Sequence, residues 1–119
     1  TRMTAGRLLD GAALDRLRGF GGDRLLQGMI ELFVANAPTR VAEAREALDC
    51  GDAAALRAAL HGLKSSSGQL GAETVYGACV AGEELASRGE LAPCTAHVER
   101  IERDLPTVCM QLERARPAA

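Results

Sequence analysis

Asp52-Ala53-Ala54-Ala55-Leu56-Arg57-Ala58-Ala59-Leu60-His61-Gly62-Leu63-Lys64-Ser65-Ser66-Ser67-Gly68-Gln69-Leu70 contains one apolar series, Leu56, Leu60, Leu63, Ser67 and Leu70, spaced by fours and threes. On a helix of about 3.6 residues per turn these positions form one narrow stripe, the seam that faces a core. Counted at about 100° per residue from the stripe centre, His61 falls about 140° away, Gly68 about 120° and Lys64 about 80°. The histidine therefore points outward, with a lysine one turn on and a run of small residues beside it. A histidine so placed is a candidate nucleophile on an open surface, whereas a lone histidine in a seam reads as packing.

The remaining chain repeats the same pattern. Asp10 is placed to cap a short leading helix that ends near Gly19 to Gly22. From Asp23, Leu25, Leu26, Met29, Ile30, Leu32, Phe33, Val41, Ala44 and Leu48 keep helical periodicity to the Gly51-Asp52 break, with a kink or break expected around Pro38. Asp52 caps the helix that carries His61. A further helix from about Ala72 to Ser87 has Val75, Cys79, Gly82 and Leu85/Ala86 on its apolar edge. The last, from about Pro93 to Arg114, has Val98, Ile101, Leu105, Val108 and Leu112, and Pro106 is expected to bend it. Four amphipathic helices joined by short Gly-containing turns predict an all-α antiparallel four-helix bundle with a short extra N-terminal helix, spanning residues 8–115, with 1–7 and 116–119 as flexible ends.

Composition agrees and excludes several classes. The 119 residues suffice for one core, and with two Phe, one Tyr and no Trp the apolar 47% is mostly aliphatic, which favours helices over sheet. Fourteen Lys+Arg against sixteen Asp+Glu give a formal charge of -2, without the basic excess that binding to nucleic acid requires. No apolar run reaches the roughly 18 residues of a membrane span. Cys50, Cys79, Cys94 and Cys109 form no C-x-x-C pair, so no zinc site is expected, and Cys79 reads as core. Cys94 and His97 stand three apart, but two ligands without a third make no metal site; His97 reads as a packed or solvated side chain beside the Val98 seam. A bundle metalloenzyme needs Glu-x-x-His pairs, and neither histidine has a Glu three before it. No glycine-rich phosphate loop signals ATP binding.

The stretch Leu60-His61-Gly62-Leu63-Lys64-Ser65-Ser66-Ser67-Gly68-Gln69-Leu70-Gly71-Ala72 closely resembles the phosphorylation motif of histidine-containing phosphotransfer (HPt) domains. Leu9-Asp10, Leu14, Leu32-Phe33, Ala47-Leu48, Gly51-Asp52 and Cys79 with Glu83 extend the resemblance over residues 8 to 113. Two positions depart from it. Ser65 stands where many members have glycine, and Gly82 where many have leucine, which is expected to loosen that helix's seam at a propensity cost of about 1 kcal/mol. The resemblance implies that His61 accepts a phosphoryl group from an aspartyl phosphate on a receiver domain and passes it to another receiver. Mg²⁺ is then expected on the receiver, and no cofactor in this chain.

A neutral imidazole has a free lone pair able to attack phosphorus in line, and Lys64 is placed to meet the phosphoryl oxygens with positive charge. Leu25, Met29, Gly62, Ser65 and Gly68 are expected to form the receiver-docking surface. The expected setting is cytoplasmic. A chain opening Thr1-Arg2-Met3 suggests a segment of a hybrid sensor kinase, through which it is tethered to the inner membrane. The alternative is a regulatory module that docks a receiver or effector without phosphotransfer.

Overall fold

The computed structural model describes residues 8–117; of the expected flexible ends, 1–7 and 116–119, residues 1–7 and 118–119 lie outside them. The described chain contains four helices: α1 (Gly11–Cys50), α2 (Ala53–Gln69), α3 (Glu73–Ser87) and α4 (Cys94–Ala115). Contacts run round a ring, α1 against α2, α2 against α3, α3 against α4, and α4 back against α1. The buried seams meet in the middle: Leu26, Ile30 and Phe33 from α1, Leu56, Leu60 and Leu63 from α2, Val75 and Cys79 from α3, and Val98, Ile101, Val108 and Leu112 from α4. This is the all-α four-helix bundle that the periodicity predicts.

The expected leading helix and the long helix after it run as one element, broken where Gly22 takes φ 72 and ψ −168. Pro38 and Pro106 cause no such break. Both are exposed, so the carbonyl that each deprives of a partner can turn to water, and the torsions stay helical through them.

One device turns the chain at three corners. Each of the first three helices ends with a glycine in the left-handed region, Gly51 at φ 73, Gly71 at φ 74 and Gly89 at φ 75. Paired backbone bonds close each turn: Gly51 N–H to the Leu48 carbonyl and Asp52 N–H to that of Ala47, then Gly71 to Gly68 and Ala72 to Ser67, then Gly89 to Ala86 and Glu90 to Leu85. Asp52 starts α2 by accepting from the Ala55 N–H at 3.0 Å, and Asp10 starts α1 by accepting from Ala12 at 3.1 Å.

The turn after α2 is also the mooring of the N-terminal segment. Asp10 N–H donates to the Gly71 carbonyl at 2.8 Å and Glu73 N–H to that of Leu8 at 3.0 Å. At the other side of the bundle Arg45 grips Glu102 with two bonds of 2.9 and 2.8 Å, joining α1 to α4. Beyond α4, Arg116 reaches back to Glu31 at 3.1 Å.

Candidate functional site

His61 sits midway along α2 with its side chain 64% exposed, on the face away from Leu60 and Leu63, as the periodicity predicts. Its Nδ1 lies 2.9 Å from Glu83 Oε2, and Lys64 Nζ lies 2.8 Å from Glu83 Oε1. Glu83 projects from α3, only 14% exposed, and bridges the two residues that α2 presents one turn apart. Burial alone would raise the Glu83 carboxyl. Hydrogen bonds from Lys64 and His61, with the charge of Lys64, more than offset it and hold the group below the ordinary carboxylate range. The Lys64 ammonium is held above its ordinary value, chiefly by the same bond.

Glu83 is therefore ionised near neutrality, and an ionised carboxylate can only accept. The proton of a neutral His61 then resides on Nδ1, which donates to Glu83, and the lone pair resides on Nε2. The result is a fixed tautomer whose unprotonated nitrogen is free to react.

The surroundings divide into two grooves. Between α1 and α2, Met29 and Gly62 share one with Leu32, Arg40, Ser66 and Gln69. Between α2, the start of α3 and the start of α1, Lys64, Ser65 and Gly68 share the other with Arg16 and Tyr76. Leu25 is partly exposed on α1 and lines neither. Two of the small residues, though exposed, have a side chain from another helix beside them: the Tyr76 ring at Gly68, where a Cβ would lie 3.1 Å from Cδ1, and Arg40 at Gly62, where a Cβ would lie 3.3 Å from Nε. Ser65 is exposed.

Gly82 corrects an expectation. The seam is not loose there, because the Leu60 side chain fills the space, 2.8 Å from where a Cβ at Gly82 would stand. Cys79 is core, its thiol pushed up to about 12 by burial first and by the Glu83 charge second. Cys94 is buried, its Sγ directed to the carbonyls of Gly82 and Glu90. Among the described residues, no three His, Cys, Asp or Glu gather closely enough to hold a metal ion. None of the described helices is long and apolar enough to cross a membrane.

The residues that α2 supplies were legible as a pair, but Glu83 entered only as a matching position and not as a site residue. It is 22 residues from His61, on another helix, and no spacing rule within one helix reaches it.

Comparison with known proteins bears on what this arrangement serves. The Hpt domain model matches residues 28–116. The crystal structure of histidine-containing phosphotransfer protein B from Pseudomonas aeruginosa PAO1 superposes with a TM-score of 0.84 at 32% identity, over 93% of this chain and 96% of that one. No match was found among curated proteins. By the extent of the domain match and the closeness of the structural one, the chain belongs to the Hpt domain family, the phosphocarrier modules of two-component phosphorelays.

Proposed function

We propose that His61 is the phosphoaccepting residue, taking a phosphoryl group from the aspartyl phosphate of one receiver domain and giving it to the aspartate of another. The observation that carries this reading is the orientation of the ring, with Nδ1 bound to Glu83 at 2.9 Å and the other edge exposed. Nε2 attacks phosphorus in line. An N–P bond forms, the O–P bond of the acyl phosphate breaks, and the receiver's carboxylate leaves. The ring gains positive charge as the bond forms, and Glu83, facing the Nδ1 proton, stabilises it. The reverse sequence delivers the group to the next receiver.

Lys64 directs positive charge toward the same region while one of its three donors engages Glu83. Mg²⁺ is proposed to come with the receiver, where it would shield the phosphoryl oxygens. The apolar and small surface around His61, with Leu25, Met29 and Ser65, is the proposed docking face. It suits a transient contact at the small end of interface sizes. The proposed setting is the cytoplasm, with a hybrid sensor kinase as parent.

The test mixes the chain, and separately His61→Gln, with a receiver carrying labelled phosphate. The expected outcome is label on the wild type alone, labile in acid and stable in base, with an unchanged helical spectrum for the variant. Acceptance by the variant at the wild-type rate would remove His61 from the role. Binding of the receiver without any transfer would favour the phosphate-independent docking module.

A further inference from the structure

Gly62 follows His61 on the exposed side of α2, and the space above it is taken by a side chain from another helix. A Cβ at Gly62 would lie 3.3 Å from Arg40 Nε, 3.7 Å from Cδ and 3.8 Å from Cζ. Arg40 thus leaves α1 and lays its guanidinium against the bare backbone of α2, with Cζ within about 9 Å of the His61 Cα. Around the α2 axis, Lys64 lies about 60° to one side of His61 and Gly62 about 100° to the other. The two cations therefore flank the histidine from opposite sides.

Arg40 is lightly held. Its ion pair is with Glu43, 3.2 Å away and one turn along α1, and both side chains are about half exposed. Exposed pairs of this kind contribute little, because water screens the charges and two long side chains must be ordered. A stronger anion nearby would displace Glu43.

Phosphorylation would create that anion. In the resting site Lys64 and Glu83 cancel each other's charge. Transfer of a phosphoryl group adds one net negative charge and places about two on the phosphoryl oxygens. The charged groups around them are Lys64 and Arg57 on α2, Glu83 on α3, and Arg40 with Glu43 on α1. Lys64 is already engaged by Glu83. Of the two arginines, Arg40 is the one packed onto the surface next to His61, and its planar fork matches a phosphate edge with two parallel bonds.

The geometry points to Arg40 as the residue that binds the phosphoryl group once it stands on His61, an inference that rests on His61 being the phosphoacceptor. Gly62 is then the seat of this arm, since a Cβ there would press on the Arg40 side chain from 3.3 Å and make it give ground. By exchanging Glu43 for the phosphoryl group, Arg40 stabilises the phosphorylated form and holds more of the phosphate on this chain at equilibrium with a receiver.

The test needs no receiver. Phosphoramidate transfers its phosphoryl group to Nε2 as its own P–N bond breaks and ammonia leaves. Phosphorus NMR then follows the second ionisation of the phosphoryl group in wild type, Arg40→Gln and Arg40→Lys. A nearby cation favours the dianion, so Arg40→Gln is expected to raise that pKa by about half a unit, the scale of one exposed ion pair. Arg40→Lys keeps the charge and is expected to retain at least half of the wild-type effect. A Gln variant that titrates with the wild type overturns the inference, as does a Lys variant that titrates with the Gln variant. Absence of any phosphohistidine signal from the wild type overturns it together with the reading of His61, whereas a normal signal with unshifted titration overturns the Arg40 assignment alone.

Discussion

Glu83 does two jobs with its two oxygens: Oε2 accepts a hydrogen bond from the Nδ1–H of His61, and Oε1 pairs with Lys64. Replacing it with glutamine keeps the shape and removes the charge. Losing one charge-assisted bond of about 1.5 kcal/mol corresponds to about tenfold in rate, so Glu83→Gln is expected to slow phosphoryl acceptance about tenfold in a single-turnover assay with a phosphorylated receiver. Lys64→Ala should slow the same step while leaving receiver affinity within about twofold by titration, because Lys64 is assigned to the transferring group and not to docking. An unchanged rate in either variant would remove that residue from the site. The sequence made His61 and Lys64 legible because one periodicity orients both. It could not reveal Glu83 as their partner, because that contact depends on how α2 and α3 register against each other. Nor could it show that Arg40 and Tyr76 lie beside Gly62 and Gly68, since both side chains arrive from other helices.

At the scale of elements, helix boundaries were legible wherever the chain carries its own stop and start signals. Asp10 and Asp52 cap α1 and α2, and Gly51, Gly71 and Gly89 end α1, α2 and α3 in left-handed turns. The α1 helix runs through Pro38 without breaking in two, because whether a proline breaks a helix depends on which face it occupies, a property of the assembled bundle. Glycines that look alike in sequence should respond oppositely to alanine. Gly71 combines φ 74 with a Cβ position 2.7 Å from the Asp10 carbonyl oxygen, so Gly71→Ala is expected to destabilise by more than about 1 kcal/mol. Gly77 is exposed inside α3 with nothing near its Cβ position, and Gly77→Ala is expected to stabilise by about 0.5–1 kcal/mol. Urea unfolding followed by circular dichroism would measure both.

Across the whole molecule, two carboxylates tie neighbouring helices together. Glu83 joins α3 to α2, and Glu102 joins α4 to α1 through Arg45. The hydrogen bonds from Arg45 hold the Glu102 carboxyl below its ordinary value, as those from Lys64 and His61, against burial, hold that of Glu83. Both groups bind protons more weakly in the folded chain than in the unfolded one. Their contribution is therefore complete above the ordinary carboxylate pKa of 4.5 and is lost as pH falls through the lowered values. The thermal unfolding temperature is expected to fall by about 5 °C between pH 5 and pH 3, equivalent to about 1 kcal/mol for a domain of this size. The Glu83→Gln, Glu102→Gln double variant should show a flatter dependence, and an equally steep one would place the acid sensitivity elsewhere. The order of helices and the buried seams were legible from periodicity alone. These cross-ties were not, because each joins residues many positions apart.

One edge of the His61 ring is anchored and the other is open. On the proposed function, the same nitrogen must therefore both collect the phosphoryl group and surrender it, and donor and recipient need the same patch of surface. They cannot be seated together, so the module works as a single-berth ferry: the first receiver has to depart before the second can land. Throughput is then capped by how quickly a spent partner lets go, and a crowd of unphosphorylated receivers would slow the traffic merely by occupying the quay.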